Sequence, residues 1–220
     1  MKQLAQIMSE SGEHQPMQQL SPALQGRTRM VLQTYGGRSE FLGKFNPDMQ
    51  ITVAKNEERA FMGIAPTLGL LKKTYGENMA VMWLLPQIWD LCEFTNSRNK
   101  LDERQAENLA EMISLEYGYM KVTELLLFFY RFKTGRYGRF YGSVDPMAIM
   151  IALEEFGKER QQALVAYEEK KKQQEREQIS KNASMIDCEA YCKGKGYPIM
   201  HNINEIILYE IEKEKLQSQA

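Results

Sequence analysis

Within residues 101–117, LDERQAENLAEMISLEY, the apolar positions Ala106, Leu109, Ala110, Ile113 and Tyr117 recur at i, i+3, i+4, i+7 and i+11. Only an α-helix gathers that spacing on one face. Asp102, with Gln105 three residues on, supplies the N-cap and its reciprocal partner. A helix with one apolar face needs other elements to cover it, and the neighbouring sequence provides them. Residues 78–94, NMAVMWLLPQIWDLCEF, are apolar almost all round and predict the central buried helix. Pro86 should kink this helix or begin a second segment, and Trp83 and Trp89 should lie in or beside the core. In KVTELLLFFYRFKTG, Leu125, Phe128, Phe129 and Phe132 share a helical face and Gly135 is placed to end the helix. The alternative is two aromatic strands joined through TGRYG as a hairpin. The helix is preferred, and the fold expected is mainly α: a helical bundle-like domain with a long charged helix and a C-terminal helical extension.

The remaining chain divides by pattern. Residues 1–20 mix polar residues with a few apolar ones and read as a mobile tail with at most a short helix at Leu4 to Met8. Pro22, Gly36, Gly37 and Pro47 break residues 21–60 into short helices and turns, with Ile51 to Ala54 open to strand or helix. Residues 65–75 predict a helix with Leu68, Leu71 and Tyr75 along one side. Asp145 and Pro146 form a helix start, and Ile149, Ala152, Leu153, Phe156, Ala163, Leu164 and Tyr167 continue its stripe. After Tyr167 the helix turns polar, which places a boundary there: a tail over 1–20, a helical core domain over 21–167, and a charged helix with a C-terminal arm over 168–220. Near the end, Asn202 and Glu205 form a capping pair ahead of Ile203, Ile206, Ile207 and Ile211.

Composition limits the function classes. The 220 residues are 43% hydrophobic and 26% charged, as expected for one main folded domain. A net charge of −1 excludes the global basic footprint of a chain built to coat nucleic acid, so any such site must be local. Three cysteines are too few for a disulfide framework and fit a reducing compartment. With no signal-like start and no apolar run of membrane-spanning length, a cytoplasmic protein without membrane contact is expected.

Catalytic chemistry finds little to use. The chain has two histidines, His14 and His201, and lacks a nucleophile elbow, a phosphate-binding G-x-x-x-x-G-K-[ST] loop and an H-E-x-x-H motif. A non-enzymatic protein with no cofactor is expected. Cys188, Cys192 and His201 are ligand types that zinc prefers, but a fourth ligand would have to come from Asp187 or Glu189. Two cysteines one helical turn apart and a loop histidine is the simpler reading, and no metal is assigned.

One segment concentrates binding chemistry. Residues 128–142, FFYRFKTGRYGRFYG, hold seven of the 22 aromatic residues and four cations with no acid. Arg131, Lys133, Arg136 and Arg139 could pair with phosphates of DNA or RNA while Tyr137 and Tyr141 stack on bases. The competing reading gives Phe128, Phe129 and Phe132 to the core and the arginines to a solvated turn. Both hold together if Tyr130 and the named Arg, Lys and Tyr residues face outward.

Residues 65–76 (APTLGLLKKTYG), WLLPQIWDLCEF and the stretch ending ALEEFGKER resemble an uncharacterised helical family of Bacteroidetes genomes, mobile elements and phages, over about residues 65–160. FKTGRYGRFYGSVDP is the most distinctive part, and the family carries no established activity. The layout also looks like phage helicase-loader and replisome-organiser proteins, with no motif matched residue by residue. Together these readings predict a nucleic-acid-associated accessory protein in replication or maintenance of a mobile element or phage. The alternative is a protein–protein interaction adaptor using the C-terminal arm, with no nucleic-acid contact. Arg136 and Arg139 exposed beside Tyr137 would favour the first. The same arginines tied to carboxylates such as Glu111, Glu116 or Glu124 would favour the second.

Overall fold

A computed structural model describes residues 21–95, 101–138, 145–184 and 188–217, with side-chain exposure given for these except 179–184 and 217. Among the described residues the chain is all helical: α1 (Pro22–Tyr35), α2 (Arg38–Lys44), α3 (Met49–Ala54), α4 (Glu57–Met62), α5 (Leu68–Tyr75), α6 (Met79–Phe94), α7 (Glu103–Glu116), α8 (Val122–Lys133), α9 (Pro146–Ser184), α10 (Cys188–Lys195) and α11 (Ile203–Gln217). Two units are distinguished, Met1–Leu164 and Val165–Ala220. No described helix is long and apolar enough to cross a membrane.

Local chemistry sets the helix starts. Asp102 accepts from the Gln105 backbone N–H at 2.7 Å and Gln105 Oε1 accepts from the Asp102 N–H at 3.1 Å, the reciprocal box expected at the head of α7. Asn56 and Thr67 cap α4 and α5 in the simpler one-way form. Pro146 opens α9, where Asp145 Oδ1 accepts from Met147 N–H at 3.0 Å. Ile51 to Ala54 lie in α3, and of the hairpin alternative for residues 121–141 the described part shows α8 as a helix where the first strand would be, while residues 139–141 lie outside the described residues. The tail expected over residues 1–20, His14 included, lies outside the described residues.

In the first unit α6 packs on α5 and α7, α3 and α4 pack on α8, and α1 packs on α5. Nine of the twelve α8 residues are buried, against nine of sixteen in α6. Both helices are core elements, and α8 is buried over the larger share of its length. Glu124 and Arg131 disguise α8 as one-sided, yet both are buried. Trp83 is buried and donates its indole N–H to the Phe45 carbonyl at 2.7 Å, while Trp89 is exposed, contrary to expectation. Pro86 begins no second segment: α6 runs continuously through it, with Pro86 on the exposed side.

The second unit has a small core of Cys192, Met200 and Ile206, flanked by Cys188, Tyr197 and Tyr209. Asn202 Oδ1 accepts from Glu205 N–H at 3.0 Å, which is the expected cap of α11.

Candidate functional site

The basic and aromatic segment begins on α8 and leaves it through a defined turn. Gly135 has φ +79°, a conformation that side-chain-bearing residues adopt at a cost, and it ends the helix. Arg136 N–H bonds back to the Arg131 carbonyl at 3.1 Å and Gly135 N–H to the Phe132 carbonyl at 3.0 Å, the paired bonds of a Schellman cap. This cap reverses the chain so that Arg136 and Tyr137 lie over α9. Gly138, with φ +104°, makes the next turn.

Each described cation of this segment, Arg131, Lys133 and Arg136, pairs with a carboxylate of the same chain. Arg131 is 7% exposed, so its expected outward orientation is corrected. Its Nε and Nη2 donate to the two carboxylate oxygens of Glu57 at 3.3 and 2.8 Å, and Nη1 donates to Glu159 Oε2 at 2.7 Å. The planar guanidinium thereby joins α4, α8 and α9, with the Phe61 and Phe156 rings 6.0 and 5.7 Å from its carbon. Arg136 donates to Glu159 Oε1 at 3.1 Å, and the Tyr137 hydroxyl reaches Glu159 Oε2 at 3.3 Å. Lys133 forms an ion pair with Asp90 on α6, and the same carboxylate oxygen accepts from Gln50 at 3.2 Å.

Counting charges, Glu57 and Glu159 match Arg131 and Arg136, and Asp90 matches Lys133. A balanced cluster projects little field toward a polyanion. Titration behaviour follows the same geometry. Burial works against the charged form of Arg131, but the bond to Glu57 and its charge prevail and raise the pKa, so the guanidinium is a permanent cation. Burial and then the Glu159 charge push the Tyr137 hydroxyl up to about 12, with Arg131 pulling the other way.

The carboxylate partners differ from those the sequence proposed. Glu124 is buried and belongs to a separate pair: it accepts from Lys121 N–H at 2.8 Å and lies 3.0 Å from Arg160. The rings of Phe128, Phe129 and Phe132 are in the core as expected, and Tyr137 packs on Phe128 with centroids 5.8 Å apart. Arg139 and Tyr141, the other two candidate nucleic-acid residues, lie outside the described residues, as does Phe140.

The cysteine and histidine cluster has a packing geometry. Cys192 is buried and Cys188 packs beside it. His201 is exposed, its Nδ1 3.7 Å from the Glu189 carboxylate. Among the described residues no three His, Cys, Asp or Glu side chains converge to hold a metal.

The structure shows two apolar surfaces, of which the sequence pattern gave only the stripe on the last helix. A groove of about 550 Å³ opens between α1 and the segment joining α4 to α5, lined by Leu24, Arg27, Met30, Ile64, Pro66 and Leu70 among others. The second is on α11, whose apolar stripe divides. Ile206 turns into the small core while Ile207, Leu208 and Ile211 are exposed. At 100° per residue these three span an arc of roughly 100° on the side away from Ile206.

A family of unknown function (DUF6633) matches residues 100–198. No curated protein and no solved structure matches. The matched region holds Arg131, Lys133, Arg136, Tyr137 and Glu159 but neither Glu57 nor Asp90, and it stops short of α11.

Proposed function

We propose that the protein is a non-enzymatic interaction protein of the cytoplasm whose C-terminal unit carries a protein-binding surface. The observation behind this reading is the exposed arc on α11, with Leu208 61% exposed between Ile207 and Ile211. A helix that packs with one apolar face and keeps a second in water gains by covering it, at about 1.5–3 kcal/mol for each aliphatic side chain fully buried. The nucleic-acid reading draws less support, because Arg131, Lys133 and Arg136 each already face a carboxylate. A setting in replication or maintenance of a mobile element rests on the family resemblance alone and attaches to no residue.

Affinity capture from the native host tests the interaction reading. The full chain should retain a specific partner that the Ile207→Asp, Ile211→Asp double variant loses by about tenfold or more, with helix content by circular dichroism unchanged. Equal capture by both chains would count against it.

A further inference from the structure

The α1 groove has the features of a second, preformed docking site. Its α1 positions, Leu24, Arg27, Met30, Val31, Thr34 and Tyr35, recur along one side of the helix for roughly 16 Å. The opposite wall is backbone-braced. The Lys121 ammonium donates to the Phe61 and Gly63 carbonyls at 2.6 and 2.7 Å, Val122 N–H to the Pro66 carbonyl at 3.0 Å, and Leu68 N–H to the Met120 carbonyl at 3.0 Å. These bonds hold Ile64 81% exposed in a fixed position beside the groove. A rigid, outward aliphatic side chain loses little freedom when a partner covers it.

Shape and charge narrow the occupant. Met30 is 60% exposed and, like Ile64, would stay in water around a small ligand seated in the groove, whereas a helix laid along α1 covers both. Methionine suits such a rim because its flexible side chain adapts to what lands on it. No carboxylate lines the groove, which carries Arg27 and Lys121, and α1 holds Arg27 and Arg29 with no acidic residue.

Resting on the interaction reading above, we infer that this groove receives an amphipathic helix of a partner protein, apolar at i, i+3 or i+4 and i+7 and flanked by carboxylates that face Arg27. The adaptor then has two surfaces, the α1 groove and the α11 arc.

The test is a selection of displayed 14-residue helical peptides on the full-length protein, followed by anisotropy titration of the enriched peptides. The expected peptides are acidic, lose at least about tenfold in affinity for Ile64→Asp, and lose severalfold for Arg27→Glu. Lysine in place of the peptide glutamates should restore binding to Arg27→Glu. Both substituted positions are exposed, and circular dichroism checks that the variants fold. No enriched peptide, enriched peptides without acidic residues, or binding indifferent to both variants would overturn the inference. So would sedimentation showing self-association that Ile64→Asp abolishes, which assigns the groove to a second copy, or dodecanoate binding at the groove without any peptide, which assigns it to an acyl chain. Ile207→Asp with Ile211→Asp should leave peptide affinity unchanged, so failure here and failure of the α11 surface are separable.

Discussion

Arg131→Met is expected to lower the stability of the protein by about 3 kcal/mol, read as a fall in the urea midpoint. Removing one partner of a buried pair costs on the order of 3–5 kcal/mol, because the charge left behind is poorly solvated. Here Glu57 is 43% exposed and can rehydrate, which places the loss near the lower end. Glu159 keeps Arg136 and Tyr137 as partners. Arg131→Lys should recover only part of the loss, since an ammonium cannot bond both Glu57 oxygens in the same fork or spread over Phe61 and Phe156. Arg136→Ala, at a half-exposed pair, should cost no more than about 1 kcal/mol. A set of four urea curves, wild type included, gives the ranking. If Arg131→Met were as stable as wild type, the buried guanidinium would not be bracing the fold.

Phe128→Ala should be the most damaging single change, at about 3–5 kcal/mol. The ring is fully buried and meets Phe129, Phe132, Tyr137 and Phe156 at centroid distances of 5.3, 5.6, 5.8 and 5.6 Å. Truncation leaves a cavity where α8, α9 and the Gly135 turn converge, and close-packed neighbours refill it only in part. Phe128→Leu, which fills much of the same volume, should cost less than half as much. Thermal unfolding followed by circular dichroism distinguishes the two. Equal midpoints for Phe128→Ala and wild type would mean that the segment packs elsewhere.

What the sequence made legible was local. The Asp102–Gln105 box, the Asp145–Pro146 start of α9 and the Asn202–Glu205 cap each depend on residues within four positions, and each forms as read. Phe128, Phe129 and Phe132 were assigned to the core from spacing alone, correctly. The burial of Arg131 was not legible, because its neutralising partners lie 74 and 28 residues away at Glu57 and Glu159. In one dimension an arginine next to aromatics reads as a binding residue. Its role depends on whether the fold brings carboxylates to it. Glu124 shows the same effect: it sits among leucines on α8, a polar position by type, yet Lys121 N–H and Arg160 make it a buried residue.

The apolar surfaces were hidden for a related reason. Ile203, Ile206, Ile207 and Ile211 form one stripe in sequence, and only the position of the Cys192–Met200 core decides that Ile206 turns inward while Ile207 and Ile211 stay exposed. The α1 groove depends on Ile64 and Pro66 being held against residues 120–122 by hydrogen bonds between segments more than fifty positions apart. No periodicity carries that information.

The central claim is that Arg131, Lys133 and Arg136 are each paired with a carboxylate of the same chain, which weakens any pull of these three on a polyanion. A mobility-shift series at low ionic strength, with single- and double-stranded DNA and RNA oligonucleotides, tests it most directly because phosphate contacts are strongest when salt is scarce. The account predicts no retardation by wild-type protein at micromolar concentration, and none by Arg136→Ala. Salt-sensitive retardation by the wild type that weakens on Arg136→Ala would contradict it.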